Sequence, residues 1–276
     1  MRILRGFLAG GMMAIVMSAT AAIAASPPAF DRMVVFGDSL SDTGNAGRFS
    51  NGPVWVEMLA DRLGVNLRAA QAGGSNFAVG GARLDPAAGP YGLRAQVDRF
   101  LDLRGSTGRT LHVVYGGGND LLAALSGAGP AQVDAAIAAL RTILTDLVAA
   151  GATDLLVPNL PDVGITPAVR GYGAEAAGQA RRLTAVFNAQ ADAVLRELAA
   201  TAPGELRLYR LDVFAMAERV RADPAAFGFT DITTPCGGST RCEGHLFWDQ
   251  VHPTTYAHGR LAEAALRELA GQDPPP

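Results

Sequence analysis

Short apolar runs alternate along the sequence with longer Ala- and Leu-rich segments in which apolar residues recur at helical spacing. The apolar runs are 33–36, 76–79, 111–115, 154–158 and 206–211, and the helical segments are 53–63, 93–103, 131–150, 174–200 and 254–270. Strands that alternate with helices in this way form a parallel sheet with helices on both faces. The sequence therefore predicts an α/β fold, a three-layer α/β/α sandwich around a parallel sheet.

Neither an internal repeat nor a long linker interrupts this alternation. A chain of 276 residues, 49% of them hydrophobic, can build one core without further staples. We therefore expect one domain over residues 25–276. After the first 24 residues, no segment has the length and hydropathy of a membrane span.

Residues 1–24 have the pattern of a secretory signal peptide. Arg2 and Arg5 precede an apolar run over 7–22, and Ala22-Ile23-Ala24 matches a small-residue cleavage site. We therefore expect cleavage after Ala24 and a secreted or periplasmic mature protein. The alternative is that this segment remains as a membrane anchor, although its apolar run is short for a span and contains glycines.

The chain has a formal net charge of −3 and no basic run. Nucleic-acid binding needs clustered cations, so we expect no nucleic-acid partner. An oxidising compartment favours a disulfide between Cys236 and Cys242, the only two cysteines. Two free thiols or a zinc site are the alternatives. The zinc site is disfavoured because His245 is the only imidazole nearby.

Three of the predicted strands end in turns rich in glycine and polar residues, at 37–40, 80–81 and 116–120. In a parallel sheet, reactive side chains gather at the carboxyl ends of the strands. Ser39 follows the first strand directly and is placed there as a candidate nucleophile. The alternative is a plain turn, because Gly-Asp-Ser is a common turn composition.

A serine nucleophile needs a base within hydrogen-bond reach. His252 follows Asp249 by three residues, so the carboxylate can hold one ring nitrogen and leave the other free for Ser39. We expect Pro253 to begin the helix that follows. The alternative is a helix-capping aspartate beside a surface histidine. We expect the other three histidines to take no part in the chemistry: His112 in a core strand, His245 in the cysteine loop and His258 at the surface of the last helix or in an interface.

Ester hydrolysis also needs hydrogen-bond donors for the oxyanion that forms on the substrate. The backbone N–H groups of Ser39 and Gly81 and the side-chain amide of Asn119 come from the three turns. A phosphate-binding loop is the alternative for the glycines. Neither Gly-x-x-x-x-Gly-Lys nor a strand–Gly-x-Gly-x-x-Gly–helix unit is present, which disfavours a nucleotide cofactor.

Four blocks of the sequence resemble those of the SGNH/GDSL hydrolase family. In the order of the family they are Gly37-Asp38-Ser39-Leu40, the run 76–82, Gly118-Asn119-Asp120 and Asp249-Gln250-Val251-His252. The longer runs 36–45 and 247–254 look most like the secreted esterase, phospholipase and haemolysin branch.

The resemblance implies a flavodoxin-like sheet, acyl-enzyme chemistry, and no metal or other cofactor. It implies a catalytic triad of Ser39, Asp249 and His252, and an oxyanion hole formed by Ser39, Gly81 and Asn119. It favours Gly81 over Gly80, because Gly81 lies five residues after Asn76, as in the family pattern.

We therefore expect a secreted serine ester hydrolase of the carboxylesterase or lipase type, which acts as a monomer on a small-molecule or lipid ester. An acyltransferase, a phospholipase and a polysaccharide O-deacetylase could use the same residues. A non-catalytic binding domain is disfavoured because Ser39, Asn119 and His252 are all present. The acyl chain length is not predicted, although the stretch 223–248, with Phe227 and Phe229, is a candidate wall of the acyl pocket.

Overall fold

The computed structural model describes residues 26–103, 108–202, 204–237 and 241–272, so the predicted signal peptide lies outside the described residues. The strands are β1 Arg32–Gly37, β2 Thr110–Tyr115, β3 Asp154–Leu156, β4 Arg207–Tyr209, β5 Asp231–Pro235 and β6 His245–Phe247. The α-helices are α1 Trp55–Leu63, α2 Leu93–Asp102, α3 Gly118–Ala123, α4 Ala131–Ala149, α5 Pro167–Arg170, α6 Ala174–Thr201, α7 Val213–Ala222 and α8 Thr255–Leu269. Short 3₁₀ turns lie at Ala70–Ala72, Pro86–Ala88, Val163–Ile165 and Ala225–Phe227, and a π-helical turn lies at Ala124–Ala128.

Strands β1 to β4 form one parallel sheet in the order β1-β2-β3-β4. The residues of β2 are all buried, as are those of β1 after Arg32, because helices cover both faces. Helix α1 packs against α8, whereas α2 and α6 both pack against α4. Right-handed crossovers place these two groups of helices on opposite faces of the sheet. The predicted three-layer α/β/α sandwich is confirmed.

The segment 76–79 was expected to be a strand, but only its first residue, Asn76, forms bridges, one with Val35 of β1 and one with Ala69. The backbone N–H of Phe77 donates to the Val35 carbonyl over 2.7 Å, and the N–H of Val79 donates to Gly37 over 3.1 Å. It therefore lies along the open edge of β1, and the turn that follows ends the pairing. With this segment counted in sequence order, the strand order is 2-1-3-4-5, as in flavodoxin-like sheets.

The stretch 223–248, for which the sequence predicted no regular structure, contains a second, two-stranded parallel sheet formed by β5 and β6. Cys236 and Cys242 form the expected disulfide in the connection between these strands, with their Cα atoms 5.5 Å apart. Helix α7 was also not predicted. Asp212 caps its start by accepting the N–H of Ala215 over 2.9 Å.

Two prolines lie just outside the helices that they were expected to begin. Helix α1 begins at Trp55, two residues after Pro53. Helix α8 begins at Thr255, and its N-cap is Thr254, whose hydroxyl accepts the N–H of Ala257. Pro253 instead forms a bridge with Phe247 of β6. It therefore ties the segment before α8 to the small sheet.

None of the helices in the described ranges is long and apolar enough to cross a membrane.

Candidate active site

Ser39 lies in a turn at the carboxyl end of β1, and hydrogen bonds hold this turn from two sides. The side chain of Asp38 accepts the N–H of Leu40 over 3.0 Å. The side-chain amide of Gln96, on α2, binds both the N–H and the carbonyl of Gly37 over 2.9 Å. A Cβ on Gly37 would lie 2.7 Å from the carbonyl oxygen of Tyr115, so this position requires glycine. The serine is thereby presented in a fixed place at the edge of the sheet.

The structure brings His252 and Asp249 to this serine, although 213 positions separate Ser39 from His252 in the sequence. The His252 Nε2 atom lies 2.8 Å from Ser39 Oγ, and its Nδ1 atom lies 2.7 Å from Asp249 Oδ2. The ring of Phe49 packs against the His252 ring with centroids 5.2 Å apart. This arrangement can activate a serine hydroxyl, because the histidine is oriented on one side and free to accept a proton on the other.

Asp249 is held as a carboxylate. Its Oδ1 atom accepts the backbone N–H groups of Val251 over 2.8 Å and of His252 over 2.6 Å. Burial alone would raise the pKa of Asp249, but these bonds and the contact with the His252 ring lower it overall. The ionised carboxylate fixes the proton on His252 Nδ1 and leaves Nε2 as the acceptor that faces Ser39.

The three expected oxyanion donors are available to different degrees. The N–H groups of Ser39 and Gly81 have no partner among the described residues. The N–H of Gly80, by contrast, donates to Asp42 over 2.8 Å, which supports the choice of Gly81 over its neighbour. Gly81 adopts φ +77° in an exposed turn and is not one of the residues that line the cavity at Ser39.

Asn119 does line that cavity. Its Nδ2 atom donates one hydrogen to the carbonyl of Ala82 over 3.0 Å, which leaves the second hydrogen for a ligand. Packing requires glycine at Gly117, two residues before it. A Cβ on Gly117, which adopts φ +114°, would lie 2.4 Å from the Phe187 ring. The turn that carries Asn119 is therefore closely packed against α6.

Buried polar side chains that were given no role from the sequence join the turns to one another. Asp42 accepts the N–H groups of Gly44, Asn45, Ala46 and Gly80. Asp120 accepts the N–H groups of Leu84 and Asp85 and the side-chain amide of Gln132. Asp42 and Asp120 each follow a motif residue closely, and this proximity was the only sequence signal for their role.

The carboxyl groups of Asp38 and Asp120 are buried and make no ion pair in the part of the chain that the structure describes. Burial raises the pKa of Asp38 to about 7, and the charge of Asp120 adds to the rise. Burial likewise raises the pKa of Asp120, although its hydrogen bonds from Leu84 and Asp85 oppose the change. Around neutral pH, therefore, Asp38 is partly protonated.

A cavity of about 160 Å³ opens beside Ser39, Asn119 and His252. Most of its other lining residues are apolar. They come from the segment 160–166, from α7, from the stretch 223–248 and from α8, and include Leu160, Val163, Val213, Met216, Val220, Phe229, Leu246 and Leu261. Phe229 therefore lies where the sequence suggested, whereas Phe227 is not among the lining residues. An apolar group bound next to Ser39 would lose contact with water in this cavity.

The expectation that His258 lies at the surface is wrong. It is fully buried, lines the same cavity, and neither ring nitrogen has a hydrogen-bond partner in the described part of the protein. Burial lowers the pKa of His258 to about 3, and the nearby His252 and Arg48 add to this. His112 is buried in β2 as expected, and burial lowers its pKa to about 4. His245 donates one hydrogen bond, from Nδ1 to the Thr234 carbonyl over 3.2 Å.

Comparison with known proteins agrees with this geometry. The curated relatives include the phosphatidylcholine-sterol acyltransferase of Aeromonas hydrophila, which is 30% identical over 92% of this chain and 94% of its own length. They also include esterase EstA of Pseudomonas aeruginosa, which is 27% identical over 87% of this chain but only 47% of its own length.

Solved structures share the fold. LAE5, an α/β hydrolase enzyme from the metagenome of Lake Arreo, superposes with a TM-score of 0.53 at 16% identity, covering 89% of this chain and 98% of LAE5. A member of the lipolytic G-D-S-L family from Veillonella parvula gives a TM-score of 0.50 at 16% identity, covering 86% of this chain and 96% of its own. The family model of the GDSL-like lipases and acylhydrolases matches residues 33–265. This chain therefore belongs to the GDSL-like lipase/acylhydrolase family and is a serine ester hydrolase of the SGNH type.

Proposed function

We propose that this protein hydrolyses carboxylic esters with apolar acyl groups through an acyl-enzyme on Ser39. The observation that carries the proposal is the unbroken hydrogen-bond chain from Asp249 through His252 to Ser39, which ends in an apolar cavity. Neither the chain of contacts nor the cavity alone would define the reaction. Together they place an activated hydroxyl next to a site for an acyl group.

In the first half of the reaction, Ser39 Oγ attacks the ester carbonyl carbon while His252 Nε2 accepts the hydroxyl proton. Asp249 stabilises the imidazolium that forms and keeps its own charge. The tetrahedral intermediate then collapses. The bond to the alcohol oxygen breaks, His252 returns the proton to that oxygen, and the acyl group remains on Ser39.

In the second half, water attacks the acyl-enzyme and His252 accepts a proton from it. The Ser39 ester bond breaks, the proton returns to Ser39 Oγ, and the acid leaves. In both halves the carbonyl oxygen carries a negative charge, which the N–H groups of Ser39 and Gly81 and the amide of Asn119 stabilise.

The apolar lining predicts how activity depends on the acyl chain. Burial of each methylene contributes about 0.8 kcal/mol, which corresponds to a rise in kcat/KM of roughly fourfold per methylene until the cavity is full. An acetyl group would leave most of this apolar surface without a contact. We therefore place a polysaccharide O-deacetylase behind an esterase for longer acyl groups.

The test is hydrolysis of p-nitrophenyl esters from acetate to palmitate by the wild type, Ser39→Ala and Ser126→Ala. Ser126 is an exposed serine whose hydroxyl binds the Leu122 carbonyl, and it serves as the matched control. We expect the wild type and Ser126→Ala to show a rise in kcat/KM with chain length and then a plateau, and Ser39→Ala to be inactive. Equal activity in Ser39→Ala would refute the assignment of the nucleophile.

Acyl transfer is the second candidate, because the relative from Aeromonas hydrophila, named an acyltransferase, matches nearly its whole length. The two reactions share the acyl-enzyme and differ only in whether water or an alcohol attacks it. Partition of the acyl group between water and added glycerol or a sterol decides between them. A large excess of ester product over free acid would show that acyl transfer, and not hydrolysis, is the function.

The proposal also includes that the enzyme is exported and acts as a monomer. Its support is the signal-like sequence of residues 1–24 and the disulfide between Cys236 and Cys242, a bond that persists in oxidising compartments. Expression of the full chain in a bacterium with N-terminal sequencing of the exported protein tests the cut after Ala24. Retention of Arg2 and Arg5 in that protein would contradict it.

A further inference from the structure

A loop between β1 and α1, residues 49–53, is bound to the segment that follows the catalytic histidine. Ser50 Oγ donates to the Pro253 carbonyl over 3.0 Å, although 203 positions separate the two in the sequence. Asn51 Oδ1 accepts the N–H of Thr255 over 2.8 Å, and the Thr255 hydroxyl donates over 2.7 Å to the carbonyl of the last residue of the loop. These three hydrogen bonds hold the loop against the active site.

Phe49, the first residue of this loop, packs against the ring of His252 itself. The ring centroids are 5.2 Å apart and the ring planes are inclined by 36°. The hydrogen bonds of His252 to Asp249 and Ser39 fix the imidazole at its two nitrogens only. A ring held at two points can still tilt about the line that joins them, and the Phe49 ring blocks this tilt on one side. Tilting would misalign Nε2 with the serine hydroxyl.

The same ring lies against the turn that carries Gly81. A Cβ on Gly80 would lie 2.3 Å from two atoms of the Phe49 ring. Gly80 is not one of the glycines with positive φ, so the closeness of the ring, and not the backbone conformation, requires glycine here. Phe49 is not among the residues that line the catalytic cavity. One side chain outside that cavity therefore contacts both the proposed base and the turn that carries an oxyanion donor.

We propose that Phe49 is a positioning residue whose ring holds His252 and the turn at 80–81 in place for the reaction, and that the loop 49–53 holds this ring. The inference rests on the proposed function, since it assumes that His252 is the base and that the Gly81 N–H stabilises the oxyanion. Because Phe49 acts through these groups and lies outside the catalytic cavity, its contribution appears in kcat. That contribution is the same for every acyl chain.

The test is a double-mutant cycle with Phe49→Ala, Gly80→Ala and the variant that carries both changes, assayed on p-nitrophenyl butyrate and p-nitrophenyl octanoate. Gly80→Ala keeps the Phe49 ring but forces it away from His252, because the new Cβ takes its space. Phe214→Leu is the matched control, since Phe214 is also partly buried and is not a lining residue of the catalytic cavity. Ser50→Ala, which removes one hydrogen bond of the loop, is a milder second variant. Thermal unfolding is recorded for each variant.

We expect Phe49→Ala and Gly80→Ala each to lower kcat by about tenfold to hundredfold, since small misplacements of catalytic groups are costly. KM should stay within about twofold of the wild type, because substrate binding is not affected. The variant with both changes should lose no more than Phe49→Ala alone, since without the ring the new Cβ displaces nothing. The losses should be equal for the two esters. Ser50→Ala should show a smaller loss of kcat, and Phe214→Leu none.

Losses that multiply in the doubly changed variant would show that the two positions act independently, and would overturn the proposal. A loss confined to KM, or one that differs between the two esters, would place Phe49 in contact with the substrate and would also overturn it. An unchanged kcat in folded Phe49→Ala, or in Ser50→Ala where Phe49→Ala does not fold, defeats only the positioning role. Hydrolysis of neither ester by the wild type, or of both by Ser39→Ala, defeats the proposed function itself.

Discussion

Asp154 lies at the amino end of β3, whereas Asp249 lies beside His252 near the carboxyl end of β1, and each accepts several hydrogen bonds. We call these two sides of the central sheet the amino edge and the carboxyl edge. Asp154, at the start of β3, is fully buried and binds Arg109, Arg207, Tyr209 and Thr153. Asp249 is only partly buried and binds two backbone N–H groups and the ring of His252. Arginines stay charged at every ordinary pH, whereas a histidine can accept and release a proton. The amino edge is therefore suited to stability and the carboxyl edge to proton transfer.

Asp249→Asn tests the role of the carboxyl edge in proton transfer and has the largest expected effect. The amide oxygen can still accept the N–H groups of Val251 and His252, but its NH2 group cannot accept the proton on Nδ1, so the ring takes the wrong tautomer. We expect kcat to fall by about 10⁴-fold with little change in the melting temperature. Steady-state kinetics and thermal unfolding of the same preparation check this. A large loss of stability with an unchanged kcat per folded molecule would reverse the roles of the two edges.

Asn119→Ala tests the donors at the carboxyl edge. Loss of one oxyanion donor costs about 10²- to 10³-fold in kcat, with KM nearly unchanged because the charge develops only in the transition state. Asn66→Ala, at an exposed asparagine, is the matched control and should behave as the wild type. The unfolding midpoint of Asn119→Ala must be recorded as well, since Asn119 also binds the Ala82 carbonyl. An unaltered kcat in a folded variant would remove Asn119 from the oxyanion hole.

Asp154→Asn tests the amino edge. Removing one partner of a buried ion pair costs about 3 kcal/mol, so we expect a clearly lower unfolding free energy and an unchanged kcat/KM. Burial would raise the pKa of Asp154, but hydrogen bonds from Arg207 and Arg109 hold it well below its ordinary value. A lowered pKa stabilises the fold above the unfolded value of about 3.9, and the effect is lost as the pH falls below it.

The difference in stability between wild type and Asp154→Asn should therefore be full at pH 7 and should shrink below about pH 4. Denaturant unfolding at several pH values measures it. A constant difference over that range would mean that the charge of Asp154 is not what stabilises this edge.

His258→Leu gives the smallest expected effect and compares two histidines on one segment. His252 is oriented by Asp249, whereas His258 is buried without a partner, and burial of an unpaired polar group is unfavourable. We expect His258→Leu to be about 1 kcal/mol more stable than the wild type at neutral pH. Because the pKa of His258 is lowered to about 3, the wild type loses stability as the pH falls below the unfolded value near 6.5.

The advantage of His258→Leu should therefore increase between pH 7 and pH 5, which thermal unfolding at both pH values can measure. His258→Gln, which keeps polar atoms at this position, is the control. A His258→Leu variant that is less stable at every pH would show that the imidazole has a favourable partner in the fold.

The strands of the main sheet could be predicted because their apolar runs are short and alternate with longer segments whose apolar residues recur at helical spacing. The edge segment at 76–79 was overpredicted, since its composition suits a strand but Asn76 alone among its residues forms β-bridges. Helix α7 was missed, although its cavity-lining residues Val213, Met216, Ala217 and Val220 recur at helical spacing. The prediction that His258 lies outside the core was wrong. Helical spacing alone does not tell which faces of a helix other elements cover.

The sequence by itself determined the features that depend on near neighbours. These are the alternation of strands and helices, the short span from Asp249 to His252 and the spacing of the two cysteines. Only the tertiary structure decided that Ser39 lies 2.8 Å from His252, that α7 and β6 wall the catalytic cavity, and that His258 lies buried beside it. The physical reason is that hydrogen bonds and turns form between residues a few positions apart, whereas cavities form where distant elements pack against one another.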